Sequence, residues 1–72
     1  MKVFINGKEE QIEKEISILE LLKRKNIRPE VVVVELNEKI IERKDYEVTI
    51  IKEGDLVELV FFMGGGINFY KI

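Results

Sequence analysis

The amino-acid sequence predicts an α+β domain, a mixed sheet of four to five strands with one main helix packed on one face. Three observations carry that prediction. An alternating segment at the amino end runs into the turn signal Asn6-Gly7, one amphipathic helical stretch begins at Ser17, and two apolar runs, 31–36 and 56–62, follow it. A hairpin, a crossover helix and a return to the sheet fit together when the first and last strands are central neighbours and the helix covers one face. That is the β-grasp arrangement.

Each element has a local reason. Met1, Val3 and Ile5 alternate with Lys2, Phe4 and Asn6, the period of a strand. Asn-Gly is favoured where both central turn positions need positive φ, so a second strand is expected from Lys8 to Lys14. Ser17 and Glu20 have the spacing of a capping box, the hydroxyl accepting from an orphan amide and the glutamate reaching back. Ile18, Leu21 and Leu22 then share one helical face with Leu19 beside them, while Glu20, Lys23 and Arg24 point to water. Asn26 suits a left-handed stop, and Pro29 prevents continuation. Val31 to Leu36 is a β-branched run, and Asn37-Glu38 turns it into a short strand at Lys39 to Ile41. Residues 43–48 are polar and irregular, with Tyr46 at the edge of the core. Lys52-Glu53-Gly54-Asp55 is a turn, and Leu56 to Phe62 is the last strand.

Composition narrows the functions. The 72 residues make one domain near the lower limit for an independent core, and a hydrophobic share of 46% argues against disorder. No apolar run approaches the roughly 20 residues of a membrane-spanning helix. The amino end alternates rather than forming a signal-peptide core, so a cytoplasmic location is expected. Twelve basic and fourteen acidic residues leave a net charge of −2 with no basic block, which speaks against nucleic acid as a partner. The sequence holds neither Cys nor His. Disulfides, thiolate metal sites, cysteine nucleophiles and histidine bases are therefore excluded.

The segment Met63-Gly64-Gly65-Gly66 follows the last strand directly. Glycines without Cβ cannot pack a core, but they make a slim lead able to enter a narrow channel. The segment lacks the spacing and the following helix of a phosphate-binding loop. The sequence thus divides into a β-grasp domain at 1–63, a glycine arm at 64–66, and an extension at 67–72. The extension is a pro-segment removed by processing, an artefact of gene prediction, a remnant of a fusion with a downstream protein, or the tail of a domain that has kept only a binding role. Ile67, Phe69 and Ile72 are untypical of a solvated end, so the extension is expected to add an edge strand or to cover the open sheet face.

Alternation in the last strand separates Val57, Leu59 and Phe61 from Glu58, Val60 and Phe62. With the first set against the helix, Val60 and Phe62 join Phe4 and Val33 in an apolar patch on the open face, a candidate docking surface beside the arm. The alternatives are ordinary scattered surface residues or a homodimer contact.

The pieces "VFINGKE", "VVVVELNEKIIERKDYE" and "IKEGDLVELVFFMGGG" together span residues 1–66 and resemble the ubiquitin-like sulfur carriers of thiamine biosynthesis, the ThiS family. Related molybdopterin carriers usually place prolines before their two glycines, and this chain has none there. The resemblance implies a protein co-substrate rather than an enzyme, with no catalytic residue, metal ligand or bound cofactor of its own. A ThiF-like adenylyltransferase would use ATP to convert a terminal glycine carboxylate to an acyl-adenylate. Sulfur from a persulfide would then give a thiocarboxylate on Gly66, with Gly64 and Gly65 as the flexible arm. A ThiG-like thiazole synthase would receive that sulfur. Family members end at the glycines, and an amide-linked Gly66 has no carboxylate to activate, so a processing protease is also implied. The competing readings are a carrier for molybdopterin, tungstopterin or amino-acid synthesis, a ubiquitin-like protein modifier, and a non-catalytic interaction domain with a permanent tail.

Overall fold

The computed structural model describes residues 1–63 and 68–71, and from Phe62 onward the backbone alone. In chain order the elements are β1 (Lys2–Ile5), β2 (Lys8–Gln11), β3 (Ile16–Ser17), α1 (Ile18–Arg24), β4 (Val32–Leu36), β5 (Lys39–Ile41), β6 (Ile50–Ile51), β7 (Leu56–Met63) and β8 (Asn68–Lys71), with 3₁₀ turns at Pro29–Val31 and Arg43–Asp45. The main sheet runs β2-β1-β7-β4-β5. β7 is parallel to β1 and antiparallel to β4, so the first and last strands of the domain are central neighbours, as the sequence predicts.

Both hairpin turns form for the expected reason. Asn6 and Gly7 take φ of 51° and 83°, and Asn37 and Glu38 take 52° and 72°. Positive φ at both central positions matches the right-handed twist of the flanking strands. Asn and Gly enter this region readily, whereas Glu38 holds it against a Cβ clash of about 1–2 kcal/mol. The second strand is shorter than predicted, ending at Gln11 rather than Lys14. The amide of Ile12 still bonds the carbonyl of Met1 at 2.8 Å, and the chain then leaves the sheet towards the helix.

Ser17 caps α1, its Oγ accepting from the Glu20 amide at 3.0 Å. The reciprocal half of the capping box is not made. Glu20 instead takes the Arg24 guanidinium one turn on, at 3.2 Å, an exposed pair of small energetic weight. At the other end Asn26, with φ 59°, donates to the Lys23 carbonyl, and Ile27 donates to that of Leu22. This is a Schellman closure, and Ile27 supplies its apolar contact by packing on the core. A seven-residue helix is marginal alone, so burial of Ile18, Leu21 and Leu22 holds it in place. They pack with Val3, Ile5, Val32, Val34, Val57 and Leu59 from the sheet.

Two features lie beyond the sequence reading. Ile16 and Ser17 pair antiparallel with Ile50 and Ile51 in a separate two-stranded sheet. Tyr46 is a full member of the core rather than its edge, at 3% exposure. Its hydroxyl donates to the Val32 carbonyl at 3.2 Å, tying the irregular segment to the head of β4. Among the described residues no helix is long and apolar enough to cross a membrane.

Burial raises the Tyr46 pKa above the ordinary 10.0, outweighing a backbone hydrogen bond from Val34 and the Arg43 charge, which lower it. The folded state therefore favours the neutral phenol. This contribution is complete below pH 10.0 and is lost as pH rises through the higher folded value. Tyr46→Phe should cost about 1 kcal/mol at neutral pH through the lost hydrogen bond. It should also flatten the fall in stability above about pH 10 in denaturant titrations. An alkaline limb identical to that of the parent chain would contradict the burial argument.

Candidate functional site

The site is built on β7, because β7 is the strand that continues into the glycines. Its alternation falls as predicted: Val57 and Leu59 are buried against the helix, and Phe61 packs partly on the same core. The opposite parity faces away from the helix. Register then fixes what lies together there. Val33 is directly across from Val60, Glu35 from Glu58, and Phe4 from Leu56. Val33 and Val60 are thus brought side by side, both half-buried. Phe4 is not part of the same cluster. It sits at the Leu56 end, four residues or about 13 Å along the strand from Val60, with Glu58 in between. Phe62 continues β7, and its side chain lies outside the described residues, as do the arm residues Gly64, Gly65 and Gly66.

Two apolar members of this face were missed by the sequence reading. Leu56 is 49% exposed and Ile40, across β4 from Glu35, is 70% exposed. Alternation alone assigns Leu56 to this face; Ile40 needed the β4–β5 register as well. The Glu35–Glu58 juxtaposition is a like-charge pair in the middle of the sheet, an arrangement that destabilises an isolated sheet. Beside it, Phe4, Glu38, Leu56 and Glu58 line a depression of about 200 Å³. The Lys2 ammonium lies 5.9 Å from the Phe4 ring centroid. The face is therefore two apolar pairs separated by carboxylates, with Ile40 beside Glu35, rather than one continuous patch. Among the described residues no three His, Cys, Asp or Glu side chains are grouped to hold a metal ion.

Side-chain amides pin β7 from both sides. Asn6 accepts from the Leu59 amide at 2.8 Å and donates to the Leu59 carbonyl at 3.4 Å. It thereby extends the β1 ladder by one step after the β1 backbone has turned away. On the other flank Asn37 accepts from the Leu56 amide at 2.9 Å and donates to Asp55 at 3.1 Å. The Gly54 turn is closed by Asp55, whose carboxylate takes the Lys52 amide at 2.7 Å. Both asparagines are legible in the sequence as turn formers; their second role needed the tertiary structure.

A β-grasp domain whose central strand runs straight into three glycines has the form of a carrier that offers an end to another protein's active site. The comparisons agree with that class. The ThiS family profile matches residues 3–66. A thiazole synthase from Magnetococcus marinus is 35% identical over 66 residues, which is 92% of this chain and 20% of that protein, so the chain spans about a fifth of its length. The sulfur carrier protein ThiS of Bacillus subtilis is 33% identical over 63 residues, covering 86% of this chain and 96% of that one. The crystal structure of the thiamine biosynthesis protein ThiS from Geobacter metallireducens superposes with a TM-score of 0.81 at 38% identity, covering 92% of this chain and all of that one. The chain belongs to the ThiS family.

Asn6→Gly keeps the positive φ of the turn and removes the amide that bonds Leu59. It should lower stability by about 1–3 kcal/mol and speed hydrogen exchange at the Leu59 amide. Unchanged exchange at that amide would show that β7 does not depend on the Asn6 clamp.

Proposed function

We propose that this domain is a sulfur carrier for thiazole formation in thiamine biosynthesis, with sulfur borne as a thiocarboxylate on Gly66. The observation that carries the reading is the continuity of the matched family domain with the glycine arm. The match reaches residue 66, and β7 leads to it through Met63. The domain acts as a co-substrate in the cytoplasm. It supplies a carboxyl group, a slim arm and a docking surface, and the chemistry belongs to its partners.

A carboxylate at neutral pH is a poor acyl donor. A ThiF-like adenylyltransferase joins the Gly66 carboxylate to the α-phosphate of ATP and releases pyrophosphate, which gives the acyl carbon AMP as its leaving group. The outer sulfur of a persulfide donor displaces AMP to leave an acyl disulfide. A second thiol cleaves its S–S bond and leaves as a disulfide with the donor, and the soft thiocarboxylate released hands sulfur to a ThiG-like thiazole synthase. The relatedness of a thiazole synthase to this chain over 66 residues supports that acceptor. Stabilisation of the transferring phosphate is supplied by the adenylyltransferase. Phe4, Val33, Val60 and Phe62 take part in docking, now in company with Leu56 and Ile40.

Gly66 carries its carboxylate only after hydrolysis of the Gly66–Ile67 bond. Water adds across the amide to leave the glycine carboxylate and a new amine on Ile67. Chain ending at Gly66 should therefore support ATP–pyrophosphate exchange by a ThiF-like adenylyltransferase, and chain ending at Ile72 should not. Equal exchange by both forms, or exchange by neither, would contradict the assignment of Gly66.

A further inference from the structure

β7 is longer than the strands beside it. On one flank β4 follows it up to the Val32–Phe61 pair. On the other flank β1 pairs only at Leu56 and Val57, and the Asn6 side chain occupies Leu59. From Val60 onward that flank is vacated by β1, because the chain has already turned at Asn6-Gly7. The slot is filled by β8. Val60, Phe61, Phe62 and Met63 pair antiparallel with Lys71, Tyr70, Phe69 and Asn68. Residues 68–71 lie beyond the part of the chain that the family profile matches.

A strand edge with its amides and carbonyls unpaired is a template for another strand, and proteins manage such edges by covering them. Here the cover is a short segment of β-forming character, Asn68-Phe69-Tyr70-Lys71, held to the domain through the pairing with β7. Hydrolysis after Gly66 cuts the covalent link to that cover and creates the carboxylate in one step. We propose that the Val60–Met63 edge of β7 is the site where the activating partner adds an extended strand of its own, and that β8 occupies it as an intramolecular stand-in. This inference rests on the carrier reading of the preceding section.

The location gives strand addition a purpose. Main-chain hydrogen bonds along an edge fix a partner in register without requiring particular side chains. This edge immediately precedes Gly64 in the sequence, so a partner strand laid along residues 60–63 would set the direction in which the chain leads on to Gly66. Aligning a reactive end in this way replaces orientational freedom that the activating partner would otherwise have to remove. The apolar open face and the edge are then two parts of one contact, with Val60 belonging to both.

The test uses the full chain with both Phe69 and Tyr70 replaced by proline. Successive amides point to opposite sides of a strand, so the double substitution removes a donor facing β7 whichever way β8 is phased. Among the residues whose burial is described, the core lies between Val3 and Leu59, so the variant should still fold, which a cooperative thermal transition would verify. The probe is a ThiF-like adenylyltransferase, with affinity measured by calorimetry and amide exchange followed by mass spectrometry. The proline variant should bind at least tenfold more tightly than the parent chain. Its Phe61 and Met63 amides, which share the flank of the Leu59 amide, should exchange faster than in the parent when free and regain protection in the complex. Binding within twofold of the parent, or no return of protection at these amides, would overturn the proposal. Failure of the carrier reading looks different, since chain ending at Gly66 would then bind without supporting pyrophosphate exchange.

Discussion

Two asparagine side chains hold β7 in place, and the rest of the structure depends on where β7 sits. Asn6 clasps Leu59 from the β1 side, and Asn37 clasps Leu56 from the β4 side. Each amide acts through a turn residue whose positive φ aims it at the strand. The register this enforces is critical because strand side chains alternate. A slip of one residue would exchange the buried Val57 and Leu59 for Glu58 and Val60. It would bury a carboxylate and shift the end of β7 at the same time. Core packing and the register of β7 are consequently set by one set of hydrogen bonds.

That coupling suits the carrier role proposed above, in which the reactive group is the end of the backbone. Among the residues whose burial is described, the buried ones lie between Val3 and Leu59, ahead of the glycines. The open face carries a like-charge Glu35–Glu58 pair, and Glu38 holds a backbone conformation that glycine would adopt without strain. The Glu38 conformation costs the isolated domain some stability, and the carboxylate pair lies on the side away from the helix, clear of the core.

Most of the fold was legible because its signals are local. Asn6-Gly7, Asn37-Glu38 and Gly54 announce their turns by residue type, Ser17 and Asn26 mark the helix ends, and alternation assigns the buried set of β7. What remained hidden is tertiary. The β3–β6 pair is two residues long on each side and has no periodicity to detect. Tyr46 reaches full burial only because Val32 offers a carbonyl across the domain. The patch on the open face was read from parity along each strand, which says which side a residue faces but not how far along the sheet it lies. Phe4 therefore joined Val60 in the sequence reading and Leu56 in the structure. The extension was foreseen as an edge strand or a cover, and β8 takes an inner slot of the sheet beyond the end of β1 rather than the outer edge of β2 or β5.

The central claim is that Gly66 becomes a sulfur-bearing chain end, and the intact mass of the protein recovered from actively growing cells tests it most directly. The account predicts a species that has lost residues 67–72, with sulfur in place of one oxygen of the new carboxylate. A full-length, unmodified chain under conditions of thiamine demand would contradict it, and would leave this molecule a β-grasp binding domain whose last strand is permanent.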